Sequence, residues 1–442
     1  MSDPAPGADA PQPTTRLDQT AVSRVLEMAR PVAERLTDAG HRAYVVGGLV
    51  RDLHLGGQPP HDIDITTDAQ PADIKAAVAP IADDVWSQGE RFGTIGCRLD
   101  GIDFEITTHR SEAYDPSSRK PAVTFSTAIS SDLSRRDFTV NAMAIDVVTG
   151  LLVDPFNGAA DLERRVLRTP VDARISFSDD PLRVLRAARF MARLGLVPDP
   201  GLETAATDLA HRLSIVSSER VRDEFEKLLA AERPGVGIGF LARVGALDRL
   251  FEGVDHEGLD VAVLADSIDA VPAAFGADRV LARRCVFFGR GVGFGDAEAI
   301  VECLRRLRYS RSDQRRTASL GLATAIWVSA SRPRDAEARR VVAQAGDDWP
   351  SAAACVAAVA DDQSAKSLVD AVERLARRED LTRLGPELSG AQVMKLLGLP
   401  GGPEVGAVLD ELRRWRLDEG EHEVAELERR VLAWFEAAET DL

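Results

Sequence analysis

A chain of 442 residues is longer than one compact domain holds, and at roughly 100–200 residues per domain it divides into several units. A formal net charge of −17 excludes a protein that grips nucleic acid by bulk charge, so any polyanion must meet a local basic surface. Four cysteines without CxxC pairing, no leader pattern and no apolar run near the roughly 20 residues of a membrane span argue against a disulfide scaffold, a zinc site and a membrane, and the expected location is the cytoplasm.

Residues 1–17 are rich in Pro, Ala, Gly and Thr with no apolar period, which predicts a disordered tail. From Asp18 to Leu36, Val22, Val25, Leu26, Met28 and Ala29 recur on one side, a helix closed by Asp38-Ala-Gly40. Ala43-Tyr-Val-Val46 is a short strand ending in Gly47-Gly48, and Asp62-Ile-Asp-Ile-Thr66 alternates polar and apolar residues. Gly93–Leu99 and Ile102–Thr107 form a hairpin turning at Asp100-Gly101, and residues 111–121 read as a mobile loop. After Asp154-Pro155 the strands are expected to stop. Helices are predicted over Asp161–Leu167, Asp180–Leu194, Leu202–Leu213 and Ser218–Ala230, and nearly all the remainder reads as helix apart from a glycine-rich loop at 288–295. The expected fold class is α+β. A small α/β head (18–156) precedes an elongated all-helical neck (157–232), body (233–345) and tail (346–442).

Side chains alternate faces along a strand, so Asp62 and Asp64 point one way while Ile63 and Ile65 enter the core. Two close carboxylates repel unless a cation sits between them, and oxygen ligands at this spacing suit Mg²⁺, which also binds phosphates. The Gly47-Gly48 turn lies between a strand and a helix, where backbone N–H groups can approach an anion, with Arg51 on the first helical turn. Asp103 and Glu105 share one face of the next strand, and Glu105 is the choice for a third carboxylate over a solvated strand face.

With these segments stand Arg135-Arg-Asp-Phe-Thr-Val-Asn-Ala-Met-Ala144, Val153-Asp-Pro-Phe156, Asp180-Pro-Leu-Arg-Val-Leu-Arg-Ala-Ala-Arg-Phe190 and Ser218-Glu-Arg-Val-Arg-Asp-Glu-Phe-Glu-Lys-Leu-Leu229. In order and spacing they resemble the class II tRNA nucleotidyltransferase and bacterial poly(A) polymerase family. The resemblance implies a nucleotidyltransferase that adds CMP and AMP, from CTP and ATP, to the 3′ acceptor end of tRNA with no obligatory protein partner. It implies that Gly47, Gly48 and Arg51 bind the nucleotide, that Asp62 and Asp64 hold Mg²⁺, and that Arg136 contacts the nucleotide while Asp137 orders its loop. Asp180 and Arg183, three residues apart, are the base readers it implies: a carboxylate accepts from an exocyclic amino group, and a guanidinium donates to the adjacent ring acceptor, a pattern that C and A share. Arg186 and Arg189 continue that side toward the triphosphate or the RNA. Where relatives more often carry Glu-Asp, this chain has Asp179-Asp180, and the base-facing acid is kept.

Many relatives carry an HD phosphohydrolase module after the neck. Here only His256 and His422 lie beyond the neck, with no adjacent His-Asp pair, so a decayed metal-free body is expected. The arginines 305, 306, 308, 311, 315 and 316, and the segment 388–406, either contact RNA or serve as solvated and packing helices. Poly(A) synthesis and partial addition of CC or A alone use nearly the same motifs. A non-catalytic RNA-binding protein on the retained fold is the non-enzyme alternative.

Overall fold

The computed structural model describes residues 19–57, 62–113, 122–254, 258–331 and 334–440, in two compact units, Met1–Leu250 and Phe251–Leu442. The expected tail at 1–17, the loop stretch 114–121 and His256 lie outside the described residues.

The first unit opens with α1 (Gln19–Asp38), β1 (Ala43–Val46), α2 (Gly48–His54), β2 (Asp62–Thr67), α3 (Pro71–Val78), β3 (Asp84–Trp86), β4 (Thr94–Leu99) and β5 (Ile102–Thr108). It continues with β6 (Arg110–Ala113), β7 (Ala122–Phe125), α4 (Ile129–Ser134), β8 (Ala144–Asp146) and β9 (Leu152–Val153). Seven of these strands form one sheet in the order β3-β4-β5-β2-β1-β8-β9. Only β2 and β5 run parallel within it, with Asp62 abreast of Asp103 and Asp64 abreast of Glu105. Period-2 alternation explains its two faces: Ile63, Ile65, Phe104 and Ile106 are buried with Val25, Ala29, Val32 and Leu36 of α1 and Ile74 and Val78 of α3, while Asp62, Asp64 and Glu105 stay outside that core. Arg110–Ala113 pairs with Ala122–Phe125 as a separate hairpin, so the predicted mobile loop begins later than position 111.

Next come α5 (Gly158–Glu163), β10 (Val166–Leu167), α6 (Ala173–Asp179), α7 (Leu182–Leu194), β11 (Val197–Pro198), α8 (Pro200–Leu209), α9 (Ser218–Leu229), α10 (Pro234–Arg243) and α11 (Leu247–Leu250). The neck is therefore not all helical. β10 and β11 make a two-residue parallel pair, too short to show any period in the sequence. Predicted helix 161–167 ends at Glu163, helix 202–213 gives way to a 3-10 turn at Ala210, and α6 was not foreseen at all. The Asp172 carboxylate starts α6 by accepting from the backbone N–H groups of Arg174 and Ile175. The residues expected to form head and neck all fall in the first compact unit, which runs to Leu250. Gly237 accounts for how α10 lies against α7: a Cβ there would meet the Ala188 carbonyl oxygen at 2.6 Å.

The second unit holds α12 (Val261–Asp269), α13 (Arg279–Val292), α14 (Ala297–Arg306), α15 (Arg311–Ser329), α16 (Asp335–Ala345), α17 (Trp349–Val359) and α18 (Asp362–Ala376). It closes with α19 (Gly390–Leu397), α20 (Pro403–Glu419) and α21 (Val424–Thr440). Segment 388–406 supplies Leu388, Val393 and Val405 to a shared core with Val408, Leu412 and Leu427, which favours its packing role. Of the six arginines at 305–316, Arg305 and Arg306 pair with Glu302, and Arg316 with Asp348 and Asp278, so at least half of that cluster is neutralised locally. No described helix is long and apolar enough to cross a membrane.

The expected loop at 288–295 is mostly helix, since α13 runs to Val292. Its glycines answer to neighbours rather than to a turn: a Cβ on Gly289 would meet the Phe294 ring at 2.5 Å, and one on Gly291 would meet Val254 Cγ1 at 2.3 Å. Gly293, at φ 99°, then ends the helix. Gly291→Ala should therefore destabilise the protein by about 1–3 kcal/mol through overpacking, opposite in sign to the roughly 1 kcal/mol gain that Ala gives in an open helix. Denaturant unfolding of the two proteins checks the sign.

Candidate active site

β2 carries Asp62 and Asp64 on one face, as their spacing requires, and both side chains are exposed. Burial raises the Asp64 carboxyl to about 6; Arg136 opposes that rise, and the negative charges of Glu105 and Asp62 add to it. Asp103, on the same face as Glu105, is spent on Arg98, with Nε and Nη2 donating at 2.6 and 2.9 Å. Glu105 carries no ion pair among the described residues, which favours it as the third acid of the group.

The turn after β1 brings the backbone against these acids. Gly47 sits at φ 79°, and a Cβ there would lie 2.9 Å from Arg136 Nη1 and 3.8 Å from Asp64 Oδ2. Only glycine both adopts this conformation freely and leaves that gap open. α2 is just seven residues long, so positive charge at this end comes mainly from arginines rather than from the helix dipole. Arg51 is 3% exposed: Nη1 donates to Asn141 Oδ1 at 2.5 Å, Nε and Nη2 lie 2.9 and 2.8 Å from Asp52 Oδ1, and the guanidinium sits 5.3 Å from the Phe190 ring centre.

Asp132, fully buried near the end of α4, holds both arginines of the 135–137 segment. Arg135 donates to Oδ1 at 2.6 and 3.0 Å, and Arg136 Nη2 to Oδ2 at 3.2 Å. Burial pushes this carboxyl up, but Arg136 and Arg135 outweigh it and hold it below the usual carboxylate range. Arg136 Nε is buried with no hydrogen-bond partner, while Nη1 lies at the Gly47 turn that borders Asp64.

Asp137 works from behind the cleft. Its Oδ1 accepts from the Phe138 N–H at 2.8 Å and from Asn141 Nδ2 at 2.9 Å, while Oδ2 accepts Arg186 Nε and Nη2 at 2.9 and 2.6 Å. With both oxygens engaged, it orders the segment rather than offering itself to a nucleotide, as far as its acceptors go. On α9, Glu224 takes Arg186 Nη1 at 3.2 Å and Arg189 Nε at 2.7 Å. Arg186 and Arg189, expected to meet phosphate or RNA, thus spend part of their donor set inside the protein. Three guanidinium groups, of Arg51, Arg186 and Arg189, surround the Phe190 ring at 4.2 to 5.8 Å.

The helix that carries Arg183 starts later than expected. α7 begins at Leu182, and Asp180 precedes it in extended conformation (φ −139°, ψ 99°). The two side chains do not bond each other: Arg183 donates to Ser176 Oγ at 2.7 Å and to the Arg135 carbonyl at 2.6 Å, and Asp180 takes Arg220 at 2.7 and 3.3 Å.

These groups wall a cleft of about 480 Å³. It is lined by Gly47, Gly48, Arg51, Asp64, Arg136, Asp137, Asp180, Arg183, Arg186 and Arg189, ten of the residues singled out in the sequence. Asp62 and Glu105 do not line it; both are exposed, on the face of the sheet that carries Asp64. Sequence reasoning missed the lining residues Arg110, Arg135, Asn141, Phe190 and Arg193, and the supports Asp132, Arg220 and Glu224. Arg193 was within reach, since it extends the Arg186–Arg189 spacing by one helical turn. In all, eight arginines face three aspartates across the cleft. Among the described residues no three His, Cys, Asp or Glu side chains form a ready-made metal cage. The acids whose charges act on Asp64 are Glu105 and Asp62, and such a set of carboxylate oxygens fits a hard cation sharing its coordination with phosphate.

An acid-bearing mixed sheet beside an arginine-lined cleft, followed by a largely helical remainder, is a nucleotidyltransferase head domain with its helical extension. Residues 43–168 match the family model of the poly A polymerase head domain, and residues 195–257 the model of a probable RNA and SrmB- binding site of polymerase A. The CCA-adding enzyme of Lactobacillus johnsonii is 42% identical over 205 residues, 46% of this chain and 50% of that one. The chain thus matches about half the length of such curated relatives. The Bacillus stearothermophilus CCA-adding enzyme in complex with CTP superposes with a TM-score of 0.72 at 26% identity, covering 95% of this chain and 99% of that one. The Thermotoga maritima CCA-adding enzyme complexed with tRNA shares the fold, at a TM-score of 0.65 and 24% identity over 94% and 98% of the two chains. Residues 43–168 thus match a poly A polymerase head domain, and these relatives and solved structures are CCA-adding enzymes.

The Asp137 ion pair gives a pH test. Burial pushes this carboxyl up, but Arg186 and the Asn141 hydrogen bond hold it below the ordinary carboxylate range. Its stabilisation is therefore full above the unfolded value of about 3.9 and lost as pH falls through the lower folded value. Asp137→Asn should cost about 3 kcal/mol at neutral pH, and its stability should fall less steeply than that of the parent protein below about pH 4. Denaturant unfolding between pH 3 and 7 measures both, in ranges set by those values.

Proposed function

We propose that this chain adds CMP and AMP, from CTP and ATP, to the 3′ end of tRNA without a template, completing the CCA end and releasing pyrophosphate. The observation that carries this reading is the surplus of guanidinium groups in the cleft, eight against three aspartates, beside the acid group of β2. A triphosphate suits such a wall, since arginines bind phosphate oxygens through paired donors. Similarity to CCA-adding enzymes, one in complex with CTP and one with tRNA, supports the choice of substrates.

In this reading Asp62 and Asp64 hold Mg²⁺, with Glu105 beside them. The ion, when bound, neutralises charge on the phosphates and favours ionisation of the attacking 3′-hydroxyl. Arg136, whose Nη1 lies against the Gly47 turn that also borders Asp64, steadies the phosphates from that side. Arg51 is held by Asp52 and Asn141 and contributes a fixed rather than a searching charge. Asp180 accepts from the base amino group and Arg183 donates to the neighbouring ring acceptor, which suits C and A and opposes U and G. Catalysis then rests on positioning and on pre-oriented charge. Nearly the same machinery serves poly(A) addition, which the matched head model keeps as the second reading.

The test offers tRNA lacking CCA, lacking CA or lacking A, and an oligo(A) primer, each with CTP and ATP supplied separately and together. The expected products are complete CCA ends on all three tRNAs and no growth of the primer. Extension of the oligo(A) primer with untouched tRNA overturns the assignment in favour of poly(A) synthesis. Asp64→Ala should lower the rate at least about 100-fold, and a chelator should abolish it.

A further inference from the structure

We propose that Arg220, on α9 and outside the cleft lining, sets the base selectivity of the site by holding the Asp180 carboxylate so that one acceptor position faces the nucleotide. The inference rests on the proposed nucleotidyl transfer and adds to it a residue that touches neither phosphate nor base.

The argument is a count of lone pairs. An ionised carboxylate offers about four acceptor positions on its two oxygens. Asp180 Oδ1 accepts from the Leu182 N–H at 3.2 Å and from Arg220 Nη1 at 3.3 Å. Oδ2 accepts from Arg220 Nη2 at 2.7 Å. Three positions are filled, and the one left lies on Oδ2, on a residue that lines the cleft. The backbone on both sides is fixed as well: the Asp180 N–H donates to the Ser176 carbonyl at 3.2 Å, and its carbonyl accepts from the Arg183 N–H at 3.0 Å. The carboxylate therefore cannot swing to accommodate a different hydrogen-bond pattern without breaking the Arg220 pair.

α9 is itself held in place. Glu224 lies four residues after Arg220, on the same helical face, and its buried carboxylate grips Arg186 and Arg189 of α7. That pairing fixes the register of α9 against the helix that starts beside Asp180. A single acceptor next to the remaining Arg183 donors matches an amino group beside a ring acceptor. It meets a carbonyl oxygen, as in U or G, acceptor to acceptor. Without Arg220 the carboxylate can rotate and hydrate, so the amino group gains less and the carbonyl is opposed less.

The test compares the full chain with R220Q and R220K. The kcat/KM for CTP, UTP, ATP and GTP is measured on tRNA lacking its CCA end, alongside thermal unfolding and equilibrium binding of CTP and UTP without RNA. R220Q should lower the CTP-to-UTP preference on the order of tenfold, mainly through a higher KM for CTP, with an unchanged unfolding midpoint. R220K should fall between, because an ammonium reaches one oxygen where the guanidinium spans two. A preference unchanged in R220Q overturns the inference, whether all four nucleotides decline together, as for a scaffold or RNA contact, or none does. The RNA-free binding ratio keeps this separate from the assigned reaction. If the parent protein transfers nothing to tRNA, the functional reading fails, and a CTP-over-UTP binding preference that R220Q does not reduce still defeats the role of Arg220.

Discussion

Eight guanidinium groups share one cleft of about 480 Å³, and like charges at that density repel unless each is held from behind. For at least six of the eight the protein meets this constraint with carboxylates set outside or at the back of the cleft. Asp52 backs Arg51 and Arg193, Asp132 backs Arg135 and Arg136, Asp137 backs Arg186, and Glu224 backs Arg186 and Arg189. Each pair orients its arginine as well as balancing its charge. A wall of oriented donors needs little reorganisation when an anion arrives, which is the form of electrostatic help that an enzyme supplies best. The same pairs join the head to α7 and α9, so the cleft and the packing of the first unit depend on one set of ion pairs.

The acidic side obeys a different rule. Strand alternation and the parallel register of β2 and β5 gather Asp62, Asp64 and Glu105 on one face. Arg136 reaches that face because Gly47 has no side chain to block it. Negative and positive halves of the site thus meet at a glycine, where the backbone can come closer than any side chain would allow. That meeting point is where a cation and a phosphate can be shared.

Much of this was legible in the sequence for stated physical reasons. The DxD alternation, the Gly-Gly turn and the apolar faces of α1 and β5 follow from local periods, and the ordered motifs marked ten residues of the cleft wall. What local periods cannot carry was missed. The partners of Arg186, Arg189 and Asp180 lie 35 to 49 residues away, on Asp137, Glu224 and Arg220, and no spacing rule connects them. The strands β10 and β11 are two residues long and show no alternation. The glycines of α13 looked like a loop because glycine marks both turns and close packing, and only the neighbours Phe294 and Val254 tell which. The predicted helix start at Asp180 was two residues early: α7 begins at Leu182, and Asp180, just ahead of it, pairs with Arg220 of α9.

A crystal structure of the protein with CTP and Mn²⁺, read by anomalous scattering, tests the central claim most directly. The account predicts a manganese peak between the carboxylates of residues 62 and 64, triphosphate oxygens against Arg136, and the cytosine amino group at Asp180. A metal bound away from β2, or a nucleotide lying outside the arginine-lined cleft, would contradict it.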